Sequence, residues 1–459
     1  MIGAGQMDWK NKKVLVAGSG KSGIGAADLL KKVGADIVIY DGNEKINKGD
    51  VLAKLQNADN VEVIIGELSK EVINSVNLMI LSPGIAIDAP FVNEVRDAGV
   101  PIWGEVELAY VISKGKLVAI TGTNGKTTTT ALVGEIMAAY DKDVKVVGNI
   151  GNPYTTTAFE ATDDTVTVAE ISSFQLETIH KFKPDVSAVL NITPDHLNRH
   201  YTMECYTNVK MSIAKNQDKD QPVILNYEDE ILRKYAPKLH NRIIWFSSKQ
   251  ELENGIYLEG KNIICSQNGK KEIVTTTEDT TLVGIHNVEN IMAAIGISIS
   301  MGVPNDVIKE AIRKFKAVEH RIEYVTTIDD VIYYNDSKGT NTDASVKAIQ
   351  AMTRPTILIA GGYDKKVSFD DWAKELKGKV KCLVLLGQTS NQIAETVRKY
   401  GFENIIFTES LEEAVEECRK NAEPGDAVLL SPACASWGMF DNYEQRGEKF
   451  KEYARNLKE

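Results

Sequence analysis

Two glycine-bearing stretches carry most of the chemistry that this sequence can do. In "LVAITGTNGKTTTTALVGEIMAAY" (117–140) an apolar strand runs into a loop with two glycines and a lysine, and threonines fill the first turn of the helix that follows. A strand, loop and helix N-terminus of this kind form an anion site from backbone N–H groups and the helix dipole. Gly122 and Gly125 let the backbone approach a polyphosphate, Lys126 reaches the β and γ phosphates as a point charge, and the Thr127 hydroxyl can ligate Mg²⁺ with Thr128 assisting. The generic P-loop has a further glycine where this chain has Ile120, so the general pattern is matched in part. An ordinary strand-to-helix turn is the alternative, and the Gly-Lys-Thr placement argues against it.

The second stretch, "VLVAGSGKSGIGAADLL", sets Gly18, Gly20 and Gly23 in G-x-G-x-x-G spacing, with Asp41 at the end of the next strand. Alone it suggests NAD, but its physics is a diphosphate at a helix terminus and an acid near a ribose or base, which suits any nucleoside diphosphate. Glycines used only for tight packing are the competing reading. Between the loops and the C-terminus, "VTVAEISSFQLE" delivers Glu170 at a strand end, and "VLNITPDHLNRH" delivers Asp195 and His196 just past another. Carboxylates and a histidine there can hold a divalent cation, although single residues of these types more often serve structure or solvation.

These groups need strands to carry them, and the chain supplies three series. From Lys12 to about Gly104, β-rich runs ("KVLVAG", "DIVIYD", "VEVII", "LMILSPG") alternate with helical patterns. A second series runs from "KLVAITG" through "RIIWFS", continues in a hairpin-like patch from about Leu252 to Thr281, and closes with "NVENIMAAIGISISMG" and "NDVIKEAIRKF". A third begins at "VIYYNDSKGTN" and ends in "AVLLSPACAS". The expected architecture is α/β in three domains, 1–104, 105–317 and 318–459, a division consistent with 459 residues being too many for one core. Formal charge is −11, from 53 basic and 64 acidic residues without a basic run, which disfavours nucleic acid and anionic membranes as partners. Cys205, Cys265, Cys382, Cys418 and Cys434 lack metal-site spacing and fit a reducing cytoplasm. No apolar run has transmembrane length, and the first residues have no signal-like region.

The ordered motifs "ITGTNGKTTT", "GNIG", "EISSFQLE", "DHLNRH", "GIHNVENIMAA", "EHRIE", "NDSKGTN", "GGYDKK" and "LLSPACASWGMF" make the chain similar to the Mur ligases of peptidoglycan synthesis over essentially its whole length, with the last two resembling D-glutamate-adding members. That resemblance implies a Rossmann-like UDP-binding domain, a central P-loop-type ATPase domain with a mainly parallel sheet, and a C-terminal Rossmann-like domain that binds the amino acid. It implies an ATP-dependent amide ligase acting through an acyl phosphate, with ATP and two Mg²⁺ ions (Mn²⁺ able to substitute), small-molecule substrates only, and a monomeric cytoplasmic enzyme. Closure of the last domain would bring the reacting groups together.

Carried onto this sequence, the resemblance gives ATP contacts to Gly122, Thr123, Asn124, Gly125, Lys126, Thr127, Thr128, Asn287, Asn290, Arg321 and Asp336. Metal ligands would be Thr127, Glu170, His196 and a carbamylated Lys210, and Asn149 would position substrate near the reacting carboxylate. By its own type and spacing Lys210 reads as a surface lysine on a helix. Gly18, Ser19, Gly20, Lys21, Ser22, Gly23, Asp41, Ser82, Pro83 and Gly84 would cradle UDP. Lys338, Thr340, Lys365, Ser436, Trp437 and Tyr443 would hold D-glutamate, with Lys365 and Lys366 otherwise an exposed loop pair. "YDGN" lacks an arginine that some relatives place soon after the aspartate, and Trp437 and Tyr443 stand where other members have different apolar groups.

Overall fold

The computed structural model describes residues 8–140, 143–149 and 151–457, so the first seven residues of the expected first domain, and Ile150 of "GNIG", lie outside the described residues. The N-terminal sheet is entirely parallel, in the spatial order Val61–Ile65, Asp36–Asp41, Lys13–Ala17, Leu78–Leu81, Ile102–Gly104. Its aliphatic runs are hydrophobic on both faces because both are covered. Val14, Val16, Ile37 and Ile39 enter one core, and the alternating Leu15, Val38 and Met79 enter another.

The central sheet has nine strands, ordered Lys270–Thr276, Asn262–Gln267, Gly255–Glu259, Arg242–Ser247, Pro222–Asn226, Val186–Val189, Lys116–Thr121, Val166–Glu170, Val144–Gly148. Seven of these run parallel and the first two form an antiparallel extension, which is the polar hairpin region. Strand Lys116–Thr121 lies between two others, with Ile120 paired to Glu170 and Thr121 to Val189. The glycine loop, Glu170 and the "NITPDH" segment therefore emerge side by side at the C-terminal strand ends, where open α/β sheets hold ligands.

The C-terminal sheet is ordered Glu323–Ile328, Val331–Asn335, Ala427–Leu430, Thr356–Ala360, Val380–Leu385, Ile405–Phe407, parallel except for its first pair. Strand Glu323–Ile328 precedes the point where the sequence reading began this series. Its hairpin turns on Asp329 and Asp330, both with positive φ (48° and 59°), a two-residue turn made without the usual glycine. Asn335, Ile359 and Leu430 are in register, so "DSKGT", "GGYDKK" and "SPACASW" leave the sheet from neighbouring strand ends. The chain groups into two compact units. One contains the N-terminal and central sheets, up to Asp279 together with Glu289–Arg313, and the other contains Thr280–Val288 and the chain from Lys314. The described residues contain no helix long and apolar enough to cross a membrane.

Candidate active site

Gly122 (φ 152°) and Gly125 (φ 85°) occupy backbone conformations that side chains rarely adopt, and a Cβ on Gly125 would lie 2.3 Å from Asn290 Oδ1. The loop between them is held from the strand end beside it. Asn124 N–H donates to Asn191 Oδ1 (2.8 Å), Asn191 Nδ2 returns a bond to the Asn124 carbonyl (3.0 Å), and Thr123 N–H donates to the Asn191 carbonyl (2.9 Å). Thr123 Oγ1 also lies 3.1 Å from the Tyr206 hydroxyl and accepts from Thr193 N–H. Lys126 Nζ folds back onto the Gly122 and Thr123 carbonyls, at 2.9 Å each. Thr127 and Thr128 are buried beneath the loop.

Lys210 is not the surface lysine that its residue type alone suggested. Helix Met203–Met211, capped by the Thr202 side chain, buries it to 2% exposure, and its Nζ donates to the same Gly122 carbonyl at 2.8 Å. It also lies 4.9 Å from the Tyr206 ring centroid. Burial, and then the neighbouring Lys126 charge, push this amine well below the usual lysine range, while Asp195 and Glu170 act in the opposite sense. Glu170 is buried at its strand end. One carboxylate oxygen accepts from Asn149 Nδ2 at 2.8 Å, and the other is buried without a hydrogen-bond partner among the described residues. A buried carboxylate oxygen left in that state is suited to a cation.

His196 takes a left-handed conformation (φ 52°), exposed at the start of the short helix Leu197–His200, with its ring 4.8 Å from that of Phe174 and its Nε2 3.5 Å from Asp195 Oδ2. His200 is buried beside Ser173 (2.9 Å) and Glu177, and burial lowers its pKa to about 4, so its ring stays neutral. Arg199 pairs with Glu177 and donates to the Ile85 carbonyl, and the Tyr201 hydroxyl donates to Asp88, so this segment ties the central domain to the first.

In the first domain, Gly18 and Gly23 are packing glycines as well as motif members. A Cβ on Gly18 would meet Ser82 Oγ at 2.7 Å, and one on Gly23 would meet the Gly18 carbonyl at 1.8 Å. Gly20 alone of the three faces open space, as does Gly84 in the Ser82-Pro83-Gly84 turn. Asp41 accepts from Ser19 N–H (2.9 Å) and Ser19 Oγ (2.7 Å), and these bonds hold its carboxyl below the usual range against the opposing effect of burial. Lys21 at the helix start, beside Ser22, donates to the Gly151 carbonyl just past Asn149 (3.0 Å). The Ser82 hydroxyl is buried without a hydrogen-bond partner among the described residues.

The C-terminal unit gathers its predicted residues in two groups. Exposed Lys365 donates to the Thr340 carbonyl (3.4 Å) and stands 5.9 Å from the Trp437 ring centroid, next to buried Ser436. Lys338 Nζ lies 5.4 Å from the Tyr443 ring centroid. Asp336 is fully buried, accepts from Ser431 Oγ at 2.7 Å, and is raised to about 6 by burial, which the Arg321 charge partly opposes. Arg321 sits between two residues of positive φ, His320 (64°) and Ile322 (45°); the second is a β-branched outlier whose strain marks this loop. Asn287 donates to the Val283 carbonyl at the start of helix Ile285–Ser300, which also carries Asn290. Sequence patterns assign no role to Asn191, His200 and Arg446, whose partners are distant in sequence.

Three family models match the chain: the Mur ligase MurD-like N-terminal domain over residues 12–104, the Mur ligase middle domain over 120–298, and the Mur ligase glutamate ligase domain over 320–434. Proteins named UDP-N-acetylmuramoylalanine–D-glutamate ligase are 56% identical in Lachnospira eligens, covering 98% of this chain and all of the relative, and 45% identical in Clostridioides difficile, covering 98% and all. Among solved structures, the MurF ligase of Thermotoga maritima in complex with ADP aligns with a TM-score of 0.63 over 97% of this chain and 96% of its own, at 16% identity. The UDP-N-acetylmuramate-alanine ligase of the same organism aligns at 0.61 over 97% and 100%, at 20% identity. These structures share the three-domain fold.

Proposed function

The chain belongs to the Mur ligase family, and on that premise we propose how its residues join D-glutamate to UDP-N-acetylmuramoyl-L-alanine in ATP-dependent amide formation for peptidoglycan synthesis. The observation that carries the proposal is the meeting of Lys126 and Lys210 on the Gly122 carbonyl, beside a Glu170 oxygen with no partner. The Lys126 cation and a row of loop amides suit a polyphosphate, and the Glu170 oxygen with a carbamylated Lys210 suits its counter-ion.

ATP binds along Gly122–Thr128, and Lys126 releases its loop carbonyls to take the phosphates. Asn287, Asn290, Arg321 and Asp336 hold the nucleoside. Thr127, Glu170, His196 and Lys210 fit Mg²⁺ as hard oxygen and nitrogen donors, Lys210 after adding CO₂ to its amine as a carbamate. Bound there, two Mg²⁺ ions, replaceable by Mn²⁺, would neutralise charge on the phosphates. The carboxylate of the UDP-sugar peptide, positioned near Asn149, attacks the γ-phosphorus and ADP leaves. Lys126 and the loop amides stabilise the charge that spreads over the phosphoryl oxygens. The amine of D-glutamate, freed of a proton, then attacks the acyl phosphate and phosphate departs. His196 is the candidate acceptor for that proton, and coordination to the ion would make it a weaker base.

The UDP moiety lies along Gly18–Gly23, Asp41 and Ser82–Gly84, with Gly20 the point of close approach. D-Glutamate is held by Lys338, Thr340, Lys365, Ser436, Trp437 and Tyr443, since a dicarboxylate needs cations and hydroxyl donors. The functional domains are 1–104, 105–317 and 318–459, and the enzyme works as a cytoplasmic monomer. Phosphate release tests this reading. It is expected only when ATP, UDP-N-acetylmuramoyl-L-alanine and D-glutamate are all present, and equal release with ATP alone would refute a ligase.

A further inference from the structure

Arg446, on the C-terminal helix Tyr443–Asn456, is 2% exposed. Its guanidinium makes three hydrogen bonds, all to neutral acceptors: Nε to Ser337 Oγ (3.0 Å), Nη2 to the Ser337 carbonyl (2.8 Å) and Nη1 to the Cys434 carbonyl (3.2 Å). The Ser337 hydroxyl in turn donates to the Tyr443 carbonyl at 2.8 Å. One buried cation thus clamps the "NDSKGT" loop to the "SPACASW" loop at the base of its own helix, and these segments carry the residues proposed for D-glutamate.

Its charge has no full answer within this unit. No carboxylate is in salt-bridge contact with Arg446 among the described residues; Asp336, whose charge acts on it, is bonded to Ser431 and interacts with Arg321 as well. Burial lowers the guanidinium to about 10, which still leaves it charged at neutral pH. A buried cation without its own counter-ion is disfavoured by desolvation, and the cationic side chain of Lys365 on the neighbouring loop adds to the positive potential. A bound dianion would relieve it.

We propose that Arg446 is a specificity-determining positioning residue: it fixes the two loops that receive the amino acid and supplies buried positive charge that selects a dicarboxylate, without touching it. This rests on the D-glutamate reading above. The test measures KM for each substrate, kcat and the thermal midpoint in Arg446→Met, Arg446→Gln and Arg446→Lys. With the charge removed, KM for D-glutamate should rise about tenfold or more while those for ATP and the UDP-sugar peptide stay within about twofold, and Arg446→Lys should recover most of the loss. An equal rise for all three substrates, no rise for D-glutamate, or a lysine variant as impaired as the neutral ones would overturn the proposal. Should the neutral variants not fold, Arg446→Lys decides alone: a D-glutamate KM within about threefold of wild type supports the charge role, and a larger rise contradicts it. The two readings fail separately, because a wild-type chain that ignores D-glutamate refutes the ligase assignment, whereas a D-glutamate-dependent one with a silent Arg446 refutes only this inference. If wild type instead prefers a neutral amino acid, both fall.

Discussion

The two glycine loops have the same local plan, a strand, a turn and a helix N-terminus, yet they are finished with different ionisable groups. In the first domain the loop is tied to a carboxylate, Asp41, through the Ser19 amide and hydroxyl, and two of its three glycines are closed by packing against Ser82 and the Gly18 carbonyl. In the central domain the loop has two lysine amines on one carbonyl, and the neighbouring strand end carries a buried carboxylate oxygen with no hydrogen-bond partner among the described residues. A glycine motif specifies where a backbone can come close to a ligand. The charged residues delivered by neighbouring strands decide which ligand it serves.

The sharpest break in that comparison should come from the central loop. Lys126→Ala should lower kcat by about 10² to 10³-fold, the scale for removing one preorganised donor from a developing anion; steady-state phosphate release measures it, and near-normal turnover would remove the loop from the mechanism. Lys210→Ala should be nearly inactive and partly rescued by acetate, because the missing group is a carboxylate-like anion. Activity without rescue would return Lys210 to a structural role. In the C-terminal unit, Lys365→Ala should weaken D-glutamate by about 2 kcal/mol or more, the scale of a charge-assisted contact, and read out as a rise in its KM alone.

The first-domain loop should respond through stability. Gly23→Ala places a Cβ 1.8 Å from a backbone carbonyl and should cost about 3 kcal/mol, the upper end for overpacking, measured as a drop in thermal midpoint. Gly20→Ala should fold normally and raise KM for the UDP-sugar peptide only. The joint between the two domains supplies a pH test. Glu105 is fully buried, accepts from Gln175 Nε2 at 2.7 Å through one oxygen, and leaves the other without a partner; burial raises its pKa from 4.5 to about 7. The folded state holds this proton more tightly than the unfolded chain, so stability from this group is complete below pH 4.5 and falls as pH rises through 7. Glu105→Gln should flatten that fall, on the order of 2 kcal/mol between pH 5 and 8, in denaturant titrations at the two pH values.

The sequence made both loops legible because their glycines and lysine lie within a few residues of one another, and aliphatic runs marked most strands that launch them. It hid what is assembled across distance. Asn191 secures the glycine loop from 67 residues away, and Arg446 reaches Ser337 across 109. Lys210 looked like a surface lysine because a polar helix gives no sign of which residue it turns inward, and burial there depends on Tyr206 and the loop carbonyl. The strand Glu323–Ile328 escaped notice because its turn uses two aspartates at positive φ where glycine or asparagine is usual.

The central claim is that the carboxylate of the UDP-sugar peptide is activated on the central loop by taking the γ-phosphoryl group of ATP. Heavy-oxygen labelling of that carboxylate, followed by mass analysis of the released phosphate after turnover with D-glutamate, tests it most directly. One labelled carboxylate oxygen should appear in each phosphate, because the carbon–oxygen bond breaks when the amine displaces it. Unlabelled phosphate accompanying full product formation would contradict the account.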